Sequence, residues 1–253
     1  MKAVILAAGM GSRLGHYTEQ IPKCMLKVGK KTIIEHAIEV LSSFGIKSFV
    51  IVTGHKGRKL RKFLTENFDL DFTFVHNHVY RETNNIYSFY LGIKDVWEDV
   101  ILLNSDVYFH PGIFERLYLA PINRVFLVVD DQKPLGEEEM KVVIENSKIL
   151  RISKRIPPKE ANGEYIGMAK IPEKYLGLLK ECAEQIMEEI GAGVFYEDAI
   201  QRIIDMGNEV HYVSTQKMPW VEVDFPHELT FARRIYRNLK IKTNFSSEQI
   251  MRG

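Results

Sequence analysis

Lys2–Lys23, KAVILAAGMGSRLGHYTEQIPK, is the stretch whose reading decides the fold. Ala3 to Ala8 is a short, almost wholly apolar run, the pattern of a strand buried on both faces in a parallel sheet. It breaks into Gly9-Met10-Gly11-Ser12-Arg13, where glycines free the backbone to approach a ligand and to turn amide N–H groups toward phosphate oxygens. Arg13 and Lys23 add full positive charge, and Pro22 stiffens the chain that delivers Lys23. Two better-known phosphate loops are excluded. The dinucleotide turn G-x-G-x-x-G needs glycine where Leu14 stands, and G-x-x-x-x-G-K-[ST] occurs nowhere.

Outward from this stretch, helix and strand patterns alternate. Thr32–Phe44 carries Ile33, Ile34, Ala37, Ile38, Leu41 and Phe44 at helical spacing, with Gly45 as its C-cap. Ser48–Thr53 reads as a strand, Lys56–Asn67 as a helix, Phe72–His76 as a strand, Thr83–Lys94 as a helix and Val100–Leu103 as a strand. This alternation predicts an α/β fold with a doubly wound, mostly parallel sheet. Such sheets bind ligands at the carboxyl ends of their strands, where Gly9 and Asp106 would both sit.

After a helix over Pro111–Leu119 and a strand over Val125–Val129, the rhythm changes. Met140–Glu145, Ile149–Ile156 and Tyr165–Ile171 read as a small antiparallel β insertion, about residues 138–171, folded over the open edge of the sheet. Helices over Pro172–Ile190 and Phe195–Met206 and strands over Glu209–Ser214 and Trp220–Val223 follow. The last helix, Pro226–Leu239, has proline at its first position, and a loose polar tail follows over 241–253. With no repeat or linker in sight, residues 1–240 are expected to form one domain.

Composition narrows the partners. The net charge of the 253 residues is +1, which gives no global electrostatic case for nucleic acid or an acidic membrane. The basic residues of Lys56–Asn67 therefore read as a solvated helix face. No segment approaches the ~18 continuous apolar residues of a membrane span. Cys24 and Cys182 form no C-x-x-C, so a reducing, cytoplasmic setting is the expectation.

Asp106 and Asp224 each follow an apolar strand. If both strands share one sheet, the two carboxylates converge beside the glycine loop. One or two carboxylates plus substrate phosphates are the usual holders of Mg2+, which is the expected cofactor. A phosphate monoester is mostly ionised near neutrality, so it can attack a phosphorus without a general base. Positioning and screening of the anions then fall to the metal, Arg13 and Lys23. Lys141 and Lys154, on the first two strands of the insertion, would clamp an acceptor phosphate.

The run L-A-A-G-x-G-x-R-L, Leu6 to Leu14, followed by Pro22-Lys23, resembles nucleotidyltransferases that join a nucleoside triphosphate to a sugar phosphate or a phosphorylated alcohol. Thr83–Ser88, Asn104-Ser105-Asp106, Gly163–Gly167, Tyr196-Glu197-Asp198 and Pro219–Asp224 look like the CTP-using branch. That branch includes phosphocholine, inositol-1-phosphate and aminoethylphosphonate cytidylyltransferases. The likeness runs from Lys2 to about Arg237 and implies the nucleotide-diphospho-sugar transferase, or GT-A-like, core. It also implies CTP and a small phosphorylated alcohol as substrates, giving a CDP-alcohol and pyrophosphate.

On that resemblance Arg13, Lys23, Asp106 and Asp224 are the catalytic candidates, with Asp106 and Asp224 on the metal. Leu6, Ala7, Ala8, Gly9, Met10, Gly11 and Ser12 would line the nucleotide, and Asn85 and Ser88 would read the cytosine edge. Lys154 would meet the acceptor phosphate, with Glu164 and Asp198 as further acceptor-side candidates. Tyr196, Glu197 and Asp198 form an aromatic–acidic cluster suited to an ammonium group, and a plain helix start with acids in its first turn explains them equally well. Competing readings are a sugar-1-phosphate nucleotidyltransferase using UTP, dTTP or GTP, a regulatory nucleotide-binding module, and a glycosyltransferase. The module need not keep all four catalytic candidates, and a glycosyltransferase usually shows Asp-x-Asp, where this chain has Ser105-Asp106. His76-Asn77-His78 reads as a surface pair rather than a metal site. Oligomeric state is not legible.

Overall fold

The expected first strand is β1 (Lys2–Ala7), buried from Ala3 onward. In this computed structural model the described residues are 1–250 for the backbone and 1–239 for side chains. A small hairpin, β2 (Lys27–Val28) and β3 (Lys31–Thr32), leads into α1 (Ile33–Ser43). Thr32 caps that helix: its hydroxyl accepts from Glu35 N (3.2 Å), and Glu35 Oε2 accepts from Thr32 N (2.6 Å). Next come β4 (Ser48–Thr53), α2 (Gly57–Asn67), β5 (Asp71–His76), α3 (Asn85–Ile93) and β6 (Val100–Asn104). They are followed by β7 (Val107–Phe109), α4 (Pro111–Leu119), β8 (Val125–Asp130), β9 (Lys141–Glu145) and β10 (Lys148–Ser153). The chain continues through β11 (Gly163–Ile171), α5 (Glu173–Ile190), α6 (Glu197–Asp205), β12 (Val210–Ser214), β13 (Trp220–Glu222) and α7 (Pro226–Ile250).

A nine-stranded sheet runs in the order β5-β4-β1-β6-β11-β8-β12-β10-β9. The first four of these are mutually parallel. The chain leaves β1 toward β4 and β5, then returns to the other side of β1 as β6. The crevice beyond the ends of β1 and β6 is therefore the topological switch point, where open α/β sheets bind ligands. One face packs Ile86, Phe89 and Ile93 of α3 with Leu179 and Ile200 of α5 and α6. The opposite face packs Ile34, Ile38, Leu60 and Phe114 from α1, α2 and α4. No helix of the described residues is long and apolar enough to cross a membrane.

Two expectations are corrected. The predicted insertion is not folded over an edge: β9 and β10 extend the main sheet, and β11 runs through its middle, antiparallel to both β6 and β8. Every residue of β11 is buried, a continuous pattern that alternation-based reading takes for a short hairpin strand. Its register shifts between Tyr165 and Ala169, around Gly167. The last helix extends to Ile250 rather than Leu239. Most of the expected polar tail thus falls on residues whose side chains, like residues 251–253 altogether, lie outside the described ones.

Gly167 combines a positive φ of 78° with the side chain of Asn104 packed where a Cβ would be, 2.4 Å from its amide nitrogen. Gly167→Ala is expected to lower unfolding stability by roughly 2–4 kcal/mol, through strain and steric overlap together. A urea titration measures this, and a loss within experimental error would remove the bulge from the fold's requirements.

Candidate active site

The turn after β1 has left-handed backbone at Gly11 (φ 63°), where a Cβ would lie 3.0 Å from Thr18 Cγ2 and 3.1 Å from Lys23 Cβ. Thr18 Oγ1 donates to Gly11 O (2.8 Å) and closes the turn. Gly9 has open space around it, so the special glycine is the second one. The predicted lining Leu6, Ala7, Ala8, Gly9, Met10, Gly11 and Ser12 faces a chamber of about 330 Å³. Tyr80, absent from the sequence expectation, also lines it.

Asp106 and Asp224 converge, though not through the main sheet. β13 pairs antiparallel with β7, Glu222 opposite Val107, and Val223 N donates to Asp106 O (3.0 Å). This short ladder sets the two acids side by side. Glu228 Oε2 accepts from Asp224 N (2.6 Å) and Phe225 N (2.8 Å), fixing the turn into α7.

Lys23 sits between the acids: Nζ is 2.5 Å from Asp106 Oδ2 and donates to Asp224 Oδ1 at 2.5 Å. Burial alone would lower its pKa, but Asp106, Asp224 and Glu222 outweigh burial and hold the ammonium above its ordinary value. Arg13 reaches the other oxygen of Asp224 and stacks on Phe225, 5.1 Å from the ring centre. Cys24, next to Lys23, is buried, which pushes its thiol up to about 12 and removes it as a nucleophile.

Glu222 was not anticipated. It lies two residues before Asp224, and the period of a strand brings the two to the same face. Carboxylate oxygens of Asp106, Glu222 and Asp224 lie within 4.8 Å of one another, the one such group among the described residues. The mass of protein around the cleft, then Asp106 and Asp224, push the Glu222 carboxyl up to about 8 against the pull of Lys23. Asp106 Oδ1 is buried without a hydrogen-bond partner. A hard divalent cation fits three oxygen donors, an orphaned carboxylate oxygen and a place already held by an ammonium.

Asn85 and Ser88 line the smaller chamber but have partners of their own. Asn85 Oδ1 accepts from Tyr196 N (2.8 Å), and Ser88 Oγ accepts from buried Asn77 (3.1 Å). A second chamber, about 860 Å³, opens beside the first and is lined by Trp220, Glu164, Asp130 and Lys133 among others. Arg13, Lys154, Glu222 and Asp224 line both. Lys154 Nζ lies 5.0 Å from the Phe195 ring centre.

Three acceptor-side expectations fail. Lys141 is fully buried and donates to the carbonyls of Gly136 (3.3 Å), Glu137 (2.7 Å) and Glu139 (3.2 Å), so its three protons tie down a loop instead of lining a chamber. Asp198, in the first turn of α6, accepts at Oδ2 from Phe195 N (3.1 Å) and so braces the chain entering the helix. Tyr196 is wholly buried, its hydroxyl donating to Tyr165 (2.9 Å), so the proposed aromatic wall is core. Sequence spacing could not separate these roles, because lysines and acids on short strands and helix starts serve either one. His76 is held by Thr53 Oγ1 (3.0 Å) and rings with His78 at 4.7 Å, outside the acidic group.

Residues 3–188 match the MobA-like NTP transferase domain, and the chain belongs to that family. It is a nucleotidyltransferase by family. Among its relatives is the CTP:phosphoglutamine cytidylyltransferase of Campylobacter jejuni, 27% identical over 252 residues, covering 90% of this chain and 98% of that one. The choline-phosphate cytidylyltransferase of Streptococcus pneumoniae is 36% identical over 116 residues, which span 46% of this chain and 49% of that one. The inositol-1-phosphate CTP transferase from T. maritima shares the fold, with a TM-score of 0.79 and 22% identity over 92% of this chain and 95% of that one.

Glu197 lies under this site, 4% exposed, with Oε2 lacking a hydrogen-bond partner. Burial pushes its carboxyl from 4.5 up to about 7, opposed by hydrogen bonds from its own backbone and from Asn85. Between those two values the native state holds a proton that the unfolded chain has lost, so stability falls as pH rises through this window and levels above it. Glu197→Gln is expected to flatten that slope and to gain about 1–3 kcal/mol over the parent near pH 8. Urea midpoints near pH 5 and pH 8 decide it, and parallel pH profiles for the two proteins would contradict it.

Proposed function

We propose that this protein is a cytidylyltransferase that joins CTP to a small phosphorylated alcohol, releasing pyrophosphate. The observation that carries the reading is the pair of chambers meeting at Arg13, Lys154, Glu222 and Asp224. One chamber is floored by the glycine turn and suits a triphosphate; the other is large enough for a compact acceptor. CTP is favoured by the names of the relatives, and the acceptor alcohol is the open variable.

In this reading an acceptor phosphate oxygen attacks the α-phosphorus of CTP. A P–O bond forms there as the bond to the β-phosphate oxygen breaks, and pyrophosphate leaves with that electron pair. The nucleophile is already ionised, so no general base is required. Arg13 and Lys23 are placed to hold phosphate oxygens as charge shifts toward the leaving group, and Lys154 at the shared wall holds the acceptor phosphate. Asp106, Glu222 and Asp224 would hold Mg2+, which supplies charge neutralisation of the triphosphate.

Lys23 and a divalent ion compete for the same carboxylates. Lys23→Met is expected to tighten nucleotide-free Mn2+ binding by roughly tenfold, since removing one positive charge leaves the acids uncompensated. Mn2+ titration followed by electron paramagnetic resonance measures this, and an unchanged affinity would separate Lys23 from the metal position.

Pyrophosphate release with Mg2+ tests the whole reading. CTP, UTP, GTP, ATP and dTTP are crossed with phosphocholine, inositol-1-phosphate, aminoethylphosphonate and glucose-1-phosphate. Release with CTP and an alcohol phosphate or phosphonate is expected, falling roughly a hundredfold or more in Asp106→Asn. Release with glucose-1-phosphate and another nucleotide would keep the chemistry and overturn the substrates.

A further inference from the structure

The larger chamber contains an internal cation of its own. Lys133, on the segment between β8 and β9, places Nζ 4.9 Å from the centre of the Trp220 ring and 2.5 Å from Glu164 Oε2. Trp220 Nε1 donates to Asp130 Oδ2 (2.7 Å), which sets the plane of the indole against the chamber. Glu164 is 6% exposed, and the Lys133 ammonium lies directly against its carboxylate. Glu138 and Glu139 add further negative charge to the lining, against Lys133 and Lys217.

We propose that the Trp220 face and the Glu164 carboxylate form a seat for an ammonium group on the acceptor, and that Lys133 fills this seat only until the substrate's own cation enters. The proposal rests on the acceptor reading of the larger chamber given above. A buried carboxylate beside an aromatic face is costly without a cation, and a loop lysine reaching in from solvent is a removable one. Lys133 is suited to leaving, because its side chain is 38% exposed and is carried by the segment between β8 and β9 rather than by a strand. An acceptor N–H or N–CH3 group would supply the same charge and take its place. A polyhydroxyl acceptor would supply none and would leave the lysine in the way. The substrate class is therefore a small phosphate or phosphonate ester bearing an ammonium group.

The test compares phosphocholine with 3,3-dimethylbutyl phosphate, which has the same shape with carbon in place of the charged nitrogen. Binding is read from Trp220 fluorescence in a Trp97→Phe background, and use from CTP-dependent pyrophosphate release. The charged ester is expected to bind about tenfold more tightly than the neutral one. Glu164→Gln should collapse that ratio toward one, and Lys133→Met, which empties the seat, should tighten the charged ester selectively. Equal affinity for the two esters would overturn the seat. So would a Lys133→Met that weakens both alike, since Lys133 would then be a phosphate ligand. Pyrophosphate release with equal use of both esters sinks the seat while the cytidylyltransferase reading stands. A charge preference in fluorescence with no release from CTP keeps the seat and sinks that reading.

Discussion

Two ionised carboxylates in one cleft repel each other unless a cation sits with them. At a few ångströms their repulsion in a partly desolvated site exceeds what a turn or a short ladder contributes. Lys23 removes that repulsion by lying between Asp106 and Asp224. The surrounding features serve this contact: Pro22 with an extended backbone (φ −60°, ψ 149°) aims the lysine inward, and β13 on β7 brings Asp224 back across the mouth of the sheet. Gly11 lacks the side chain that would push Lys23 away.

Behind the cleft, β11 separates the parallel half of the sheet from the mixed half. Its kink at Gly167 lets Asn104 lie against the strand, and Tyr165 and Tyr196 join hydroxyl to hydroxyl beneath it. Polar groups buried this deep must be satisfied to be tolerated, and here the two hydroxyls satisfy each other behind the smaller chamber, which Asn104 lines. Arg13, Lys154, Glu222 and Asp224 line both chambers, so charged side chains mark the boundary where the two meet.

Much of this was legible in the chain. β1, its glycine turn, and the placement of Gly9 and Asp106 at strand ends follow from local apolar runs and turn chemistry, which act over a few residues. The pairing of Asp224 with Asp106 was legible as a convergence but not in its cause, because a ladder as short as β7–β13 leaves too few residues to show a pattern. Glu222 stands two residues before Asp224 in the Pro219–Asp224 run, but nothing local in the sequence distinguishes a metal-side acid from any other strand residue. Lys141, Asp198 and Tyr196 were misread for one reason: a charged or hydroxyl-bearing side chain looks the same whether it faces a ligand or satisfies backbone groups. Trp220 and Lys133 come from distant segments, and nothing local in the sequence links them.

The ladder between β7 and β13 also has a temporal meaning. Its two strands are separated by most of the α/β core, so closing it carries the loop entropy of a long-range contact and comes late in assembly. During synthesis, β1, β4, β5 and β6 can pair while residue 224 is still inside the ribosome. The acidic group of Asp106, Glu222 and Asp224 is therefore complete only once β13 has paired with β7.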